Sequence, residues 1–120
     1  MAQTPWGRSD SQTTWAPGII DYGTASHGGI YLNKERQAEL PEWARVTNFL
    51  RTLQWWEDDA DWCVPFLVFL PEIQTYAAEN PNSYLASNFS DIVNRALNTA
   101  RTHYPTVYAG YMASQTIKPQ

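Results

Sequence analysis

The chain has 120 residues, of which 43% are hydrophobic and 17% charged, and it contains six tryptophans and seven tyrosines. This composition excludes a disordered chain, which has fewer aromatic residues and more charge, and the length predicts a single domain over residues 1–120. No apolar run is long enough to cross a bilayer, no signal-peptide pattern is present, and one cysteine cannot form an internal disulfide. We therefore expect a cytoplasmic protein.

The net charge of −4 is unevenly distributed along the chain. Residues 1–51 contain five basic and five acidic residues, residues 52–94 contain seven acidic and no basic residues, and residues 95–120 contain three basic ones. The acidic middle would repel phosphates, so direct binding to nucleic acid is not expected. It is compatible with a basic partner surface, with a metal ion, or with a solvated face.

The N-terminal part contains signals for an arm and a hairpin. Residues 1–14 are polar and are predicted to form an irregular arm, with Trp6 packed against the body of the protein. Residues 19–22 and 30–32 have strand-forming composition, and a glycine-rich loop over residues 23–29 joins them. Two such runs with a glycine-rich connection predict an antiparallel hairpin.

Two helices are predicted after this hairpin. Asn33 is a favourable N-cap residue, so we expect a short helix over residues 34–40. Apolar residues then recur at helical spacing, which predicts a second helix over residues 42–53, and Pro41 and Glu42 are typical of a helix start.

The apolar run that follows residue 62 is ambiguous between helix and strand. A helix that begins near Asp58 and ends before Pro71 is favoured, because aspartates suit the first turn. The alternative is a central strand over residues 64–70. Pro65 counts against that strand, because proline cannot donate to the hydrogen-bond ladder.

The C-terminal part is predicted to be mostly helical. A short helix is expected over residues 71–79, and a longer one begins after Asn88 as its cap and ends at Tyr104. One further helical turn is expected over residues 107–112, before a flexible tail over residues 113–120. The predicted fold class is α+β, with a small antiparallel sheet packed by three to four helices.

The acidic-aromatic segment, residues 55–62, is the main candidate site. Adjacent tryptophans cannot both face the interior of a helix, and exposed aromatic residues rimmed by charge are typical of protein–protein interfaces. Alternatively, one indole packs on the N-terminal arm and the carboxylates form a solvated helix start. The spacing does not match a calcium-binding loop, so no metal or cofactor is expected. The predicted partner-binding residues are Trp55, Trp56, Glu57, Asp58, Asp59 and Asp61.

A second candidate site is the loop that contains His27. Glycines on its C-terminal side allow close approach of a ligand, so His27 could be a general base or a metal ligand, with Ser26, Cys63 or an aspartate as partner. Alternatively, the glycines only serve the turn, and Cys63 is a small buried hydrophobic residue and not a nucleophile. The alternative function is a small hydrolytic enzyme that uses the His27 loop.

Several short motifs are distinctive between residues 4 and 72. They are Thr4-Pro5-Trp6-Gly7, Ala16-Pro17-Gly18-Ile19, Ser26-His27-Gly28-Gly29-Ile30, Arg36, Pro41, Trp56-Glu57-Asp58-Asp59 and Phe69-Leu70-Pro71-Glu72. Together they resemble the pattern of a family of small proteins encoded on bacterial plasmids, phages and integrative elements. That family often has a cysteine where this chain has Ala60, which counts against a catalytic pair of His27 and Cys63.

The resemblance implies a mobile-element context, in which small acidic proteins inhibit host defence by occluding a nucleic-acid-binding surface, as anti-CRISPR proteins do. The favoured prediction is therefore an interaction protein in the cytoplasm of a bacterial host. Its acidic-aromatic segment would dock on a basic surface of a host protein or nucleoprotein complex, such as a CRISPR effector. No membrane contact and no direct contact with nucleic acid are expected.

Overall fold

The structure, a computed structural model, has an α+β architecture and describes residues 2–46, 48 and 50–116. The strands are β1 (Gln3–Thr4), β2 (Gly7–Arg8), β3 (Ser11–Ala16), β4 (Ile19–Gly23), β5 (Gly28–Leu32) and β6 (Trp55–Glu57). The α-helices are α1 (Lys34–Ala38), α2 (Cys63–Val68), α3 (Leu70–Glu79), α4 (Tyr84–Ser87), α5 (Phe89–His103) and α6 (Pro105–Thr116). The predicted fold class is confirmed. The described residues contain six α-helices instead of the three to four predicted, and several of them are short. None of these helices combines the length and the apolar character that a membrane span requires.

The predicted hairpin is confirmed as the centre of a four-stranded antiparallel sheet with the order β3-β4-β5-β6. Its loop is shorter than predicted and consists of residues 24–27, which the Thr24 N–H closes by donating to the His27 carbonyl (2.7 Å). The irregular arm predicted over residues 1–14 is wrong, because β1 and β2 pair with each other and β3 pairs with β4. An edge strand such as β3 can be polar because one of its faces is in water.

The acidic-aromatic segment begins as strand β6 and not as a helix. Trp56 pairs with Ile30 of β5 and is fully buried, whereas Trp55 and Glu57 point to the opposite face. This alternation fits the two tryptophans better than a helix does, because only one of them enters the core. The strand pairing is a long-range contact, so local sequence does not reveal it.

Residues 58–62, here called the acidic turn, connect β6 to α2. The Trp62 N–H donates to the Glu57 carbonyl (2.9 Å) and closes this turn. The predicted helix therefore begins at Cys63 and not near Asp58, and the alternative strand over residues 64–70 is excluded. Pro65 lies in the first turn of α2, where its missing N–H removes no helical hydrogen bond.

The helix predicted over residues 42–53 is wrong, because only a 3₁₀ turn over Glu42–Ala44 forms there. Residues 47 and 49 lie outside the described part. The buried Asn48 side chain accepts from the Thr52 N–H (3.1 Å) and donates to the carbonyl of Trp55 (3.1 Å). A buried asparagine that binds nearby backbone groups stabilises an irregular loop in competition with a helix.

The remaining helices agree largely with the predictions. Asn33 caps α1 by accepting from the Arg36 N–H (2.9 Å), and α3 and α5 lie where they were predicted. Asn88 is not a side-chain cap, because its amide donates back to the Tyr84 carbonyl (2.9 Å). Helix α6 is longer than one turn and includes residues 113–116 of the predicted tail, while residues 117–120 lie outside the described part.

The hydrophobic core lies between one face of the sheet and the helices. Helix α2 crosses its centre and also contacts α3, α5 and α6. The acidic turn is therefore held at both ends, by β6 in the sheet and by the buried start of α2. The largest fully buried side chains are Trp56, Phe66, Ile19, Ile30, Leu32, Leu67 and Ile73.

Candidate functional site

The His27 loop, residues 24–27, lies beside the acidic turn. The register of β5 and β6 brings them together, and the Asp58 N–H donates to the Gly28 carbonyl (2.9 Å). The His27 Nδ1 atom is then 4.0 Å from the Asp58 Oδ1 atom, with both side chains about half exposed. The two candidate sites predicted from the sequence are thus neighbours in space.

Two glycines make this approach possible. A Cβ atom on Gly28 would collide with the Tyr22 carbonyl oxygen, and one on Gly29 would collide with the Trp56 carbonyl oxygen and the Trp6 indole. Side chains at these positions would separate β5 from its neighbours. The glycines therefore fix the position of the His27 loop through close backbone packing, and they do not need a positive φ to do so.

Glu57 is a buried carboxylate without a cationic partner in the described residues. Its exposed fraction is 8%, and its Oε1 atom accepts one hydrogen bond from the Trp6 indole N–H (3.1 Å). No lysine or arginine of the described part forms an ion pair with it. The prediction that Trp6 packs on the body is confirmed by this bond and by its edge-to-face contact with Trp55, at 5.7 Å between ring centroids.

His27, Glu57 and Asp59 form a cluster of possible metal ligands. One ligand atom from each lies within 4.8 Å of the others, and His27 and Asp59 are exposed. Imidazole nitrogen with two carboxylate oxygens is a donor set that divalent metal ions use in proteins. The described residues contain no other group of three such side chains with this convergence.

A cleft of about 420 Å³ opens beside the acidic turn, whose residues Asp58 and Trp62 line it. Its walls include the aromatic side chains of Trp15, Trp62 and Phe66, and Arg95 of α5 also lines it. Arg95 forms no ion pair within the described part of the chain. The cleft therefore offers ring and apolar surfaces together with a free cationic group.

Asp21 and Asp58 line both this cleft and a smaller depression of about 300 Å³ around the His27 loop. Burial, and to a smaller extent the charge of Asp58, raises the pKa of Asp21 from 3.8 to about 7. Burial and the charge of Asp59 also raise the pKa of Asp58, while His27 opposes that shift. Asp21 can therefore hold a proton near neutral pH, where an ordinary aspartate is ionised.

Three of the six predicted partner-binding residues are not accessible. Trp56, Glu57 and Asp61 are exposed by 0%, 8% and 4%, and the Asp61 carboxylate accepts a hydrogen bond from the Tyr104 hydroxyl. Trp55 is half-buried and belongs to an aromatic cluster, with an edge-to-face contact to Trp6 and tilted contacts to Tyr22 and Tyr31. Of the six, only Asp58 and Asp59 are exposed, so the predicted surface is smaller than the segment that defines it.

Cys63 is not a partner for His27. It is fully buried at the start of α2, and it does not line the depression around the His27 loop. Burial, followed by the charge of Asp61, raises the pKa of its thiol to about 12. A raised thiol pKa disfavours the thiolate that a nucleophile requires, which argues against the predicted alternative of a His27–Cys63 pair.

Asp21 was not among the candidate residues from the sequence. The available signal was an aspartate in the middle of an apolar strand, where this residue type is rare. An unexpected polar residue inside a strand indicates either an exposed face or a functional site. Only the position of the acidic turn, which follows from the β5–β6 pairing, distinguishes these two cases.

A second place where distant segments meet is formed around Arg36. Its guanidinium donates twice to Glu72, at 2.7 Å and 2.6 Å, and once to the Pro17 carbonyl (2.8 Å). It also lies over the ring of Phe69, 5.2 Å from the centroid. This arrangement joins α1, α3 and the β3–β4 turn. All three guanidinium nitrogens already donate hydrogen bonds within the chain, so a ligand would have to break one of these bonds.

The whole chain, residues 1–120, matches the family described as "Domain of unknown function (DUF7007)", and the protein belongs to that family. No curated protein and no solved structure is significantly similar to it.

Proposed function

For this member of the DUF7007 family, we propose a hydrolytic function in which Asp21 is the general acid and the His27 loop borders the active site. The observation that carries the proposal is the position of the Asp21 carboxyl group, at the junction of the aromatic cleft and the depression around His27. Asp58 lies at the same junction and near His27 (4.0 Å). Two carboxyl groups with different proton affinities beside a histidine are suited to acid–base chemistry.

The reaction uses both carboxyl groups. Water attacks the electrophilic carbon of the substrate, and one of its protons passes to the carboxylate of Asp58. The bond from that carbon to the leaving group breaks while Asp21 donates its proton to the leaving atom. Exchange with solvent then restores both groups, so that one water is consumed in each turnover.

The cleft indicates the kind of substrate. Its volume of about 420 Å³ is in the range of sites for small molecules. Trp15 and Trp62 can cover a ring or another flat apolar face, and Arg95 can bind an anionic or strongly polar end. We therefore propose a small organic substrate with a ring at one end and a polar group at the other.

The test is a panel of esters, amides and glycosides, each with a good and a poor leaving group. We expect Asp21→Asn to lower turnover of the poor leaving group by about 10²–10⁴-fold, and that of the good one much less, because only the poor one needs a proton. Asp10→Asn is the matched control, since Asp10 is exposed and lines neither the cleft nor the depression. Equal losses for both leaving groups, or no turnover of any substrate by the wild type, would contradict the proposal.

A second function, docking on a host defence complex, is supported by a different observation. Asp58 and Asp59 are exposed in a stretch without basic residues, and no lysine or arginine of the described part pairs with them. In a bacterial cytoplasm, and for a protein of a mobile element, they could bind the basic nucleic-acid groove of a CRISPR effector. Half-buried Trp55 would contribute the edge of its ring.

Titration of the DNA cleavage activity of a purified CRISPR effector tests this second function. A docking inhibitor inhibits in proportion to its amount and needs about one equivalent for complete inhibition, and changing Asp58 and Asp59 together to lysine should abolish its effect. Changing the exposed Asp91 and Glu79 to lysine makes the same change in net charge and should not. Complete inhibition far below one equivalent would instead favour an enzyme. Inhibition that survives the change of Asp58 and Asp59 to lysine would exclude this patch.

A further inference from the structure

We propose that His27, Glu57 and Asp59 form a binding site for one divalent transition-metal ion, zinc or manganese. Ligand atoms from the three side chains lie within 4.8 Å of one another, close enough for small rotations of the exposed His27 and Asp59 side chains to bring all three onto one ion. They come from two separate segments, the His27 loop and the junction of β6 with the acidic turn, and the backbone hydrogen bond between Asp58 and Gly28 (2.9 Å) joins these segments.

The surroundings of Glu57 are a second indication of a cation site. This side chain is more than nine-tenths buried, and the hydrogen bond from Trp6 reaches only one of its two oxygens. The other oxygen accepts no hydrogen bond from the described residues but is not fully buried, so it is open to a cation from solvent. No lysine or arginine of the described residues pairs with Glu57, and a metal ion next to the exposed His27 and Asp59 would supply the missing charge.

The donor set distinguishes between metals. Calcium and magnesium prefer oxygen ligands alone, whereas one imidazole nitrogen with two carboxylates suits zinc or manganese. Two of the three ligands are exposed, so further coordination positions remain for water or substrate. A site with open positions is typical of a catalytic metal and not of a structural one.

Trp6 is the outer support of this site. Its indole N–H donates to the Glu57 carboxylate (3.1 Å), and the ring packs edge-to-face on Trp55, at 5.7 Å between centroids. Hydrogen bonds of this kind orient metal ligands, and their loss typically weakens metal binding by about 10–100-fold. Trp6 is therefore assigned as a positioning residue for the metal site.

The catalytic role of the ion rests on the proposed hydrolytic function. A divalent ion at this place would bind the attacking water next to Asp58 and lower the pKa of that water. The water would then attack the substrate in the depression around His27, which Asp21 also lines, and Asp21 would still protonate the leaving group. The binding of the ion itself can be measured without any substrate.

The experiment is calorimetric titration of tag-free, metal-depleted protein with zinc chloride, and electron paramagnetic resonance titration with manganese chloride. The wild type should bind one ion. We expect His27→Ala and Asp59→Asn to weaken binding by more than 100-fold, and Trp6→Phe by about 10–100-fold. Glu79→Gln, an exposed acidic residue outside the cluster, should bind as the wild type does.

His27 and Asp59 are exposed, so their replacement is not expected to unfold the protein, and thermal unfolding of each variant checks this. Absence of a one-to-one ion in the wild type, or equal affinity in folded His27→Ala and Asp59→Asn, would overturn the metal site. Asp21→Asn separates the two proposals, because it should bind the ion normally while it loses turnover. A metal site without turnover would then contradict only the hydrolytic function. Turnover that survives chelation would contradict only the catalytic role of the ion.

Discussion

Glu57 and Glu72 each lie where distant parts of the chain meet, but their surroundings differ. Glu72 is largely exposed, and it is held by two hydrogen bonds from Arg36, at 2.6 Å and 2.7 Å. Glu57 is buried, and its described contacts include one neutral N–H donor and no cation. The exposed carboxylate of Glu72 is thus paired with a cation, whereas the buried carboxylate of Glu57 has no cationic partner in the described residues.

This difference separates a structural region from a functional one. The Arg36 region joins α1, α3 and the β3–β4 turn through groups that are satisfied within the chain. The region around Glu57 gathers His27 and three aspartates, Asp21, Asp58 and Asp59, at the edge of a cleft. Such a concentration of acidic groups lowers stability, so we expect substitutions in the two regions to have opposite signs.

The largest effect is expected from Asp21→Asn as a function of pH. Because the pKa of Asp21 is about 7 in the folded protein and 3.8 in the unfolded one, the unfolded state ionises first as the pH rises. The stability that the protonated carboxyl group contributes is full below pH 4 and is lost as the pH rises to about 7. Asp21→Asn removes this loss, so its stability relative to the wild type should increase by about 2–4 kcal/mol between pH 4 and pH 8.

Urea unfolding of both proteins at the two pH values measures this difference, and a difference that does not change with pH would contradict the shifted pKa. The other charged and titratable groups that line the cleft or depression with Asp21 are present in both proteins, and the charge of Asp58 contributes to the raised pKa of Asp21. These groups are Asp58 of the acidic turn, His27 of its loop, Tyr76 of α3, Tyr84 of α4 and Arg95 of α5.

Arg36→Met should have the opposite sign. It removes four charge-assisted hydrogen bonds, two to Glu72 and one each to Glu39 and the Pro17 carbonyl, so we expect the free energy of unfolding to fall by about 2–3 kcal/mol at pH 7. Arg8→Met is the control, because Arg8 is exposed and forms no ion pair in the described part. Equal losses in urea unfolding for the two variants would show that the contacts of Arg36 do not stabilise the junction of α1, α3 and the β3–β4 turn.

The smallest effect on stability is expected from Trp6→Phe. This change keeps most of the ring packing and removes one hydrogen bond to Glu57, so the loss should be about 1 kcal/mol in metal-free protein. Saturating zinc should increase the difference, because the wild type gains more from binding than the variant does. A difference that zinc leaves unchanged would show that the indole does not position a metal ligand.

Much of the fold could be predicted from local patterns. The hairpin around residues 19–32 and the helix α5 follow from turn residues and from hydrophobic spacing. Strand β6 could not be predicted, because its three residues are stabilised by pairing with β5, more than twenty residues away. The helix expected over residues 42–53 failed for a similar reason, since the Asn48 side chain binds loop backbone groups that only the folded chain brings to it.

The candidate site was predicted in pieces. His27 and the acidic residues were recognised separately, but their proximity depends on the register of β5 with β6. The burial of Glu57 and Asp61 follows from contacts with Trp6 and Tyr104, 51 and 43 residues away along the chain. Asp21 was missed because its unusual proton affinity arises from burial and from Asp58, neither of which local sequence reveals.

The most direct test of the account is the pKa of Asp21 itself. The carboxyl carbon of Asp21 can be followed by carbon-13 NMR from pH 3 to pH 9, and the signal that Asp21→Asn removes identifies it. We expect a midpoint near 7, the value at which this residue can act as a general acid in neutral solution. A midpoint near 4 would show an ordinary ionised aspartate and would contradict the proposed acid–base function.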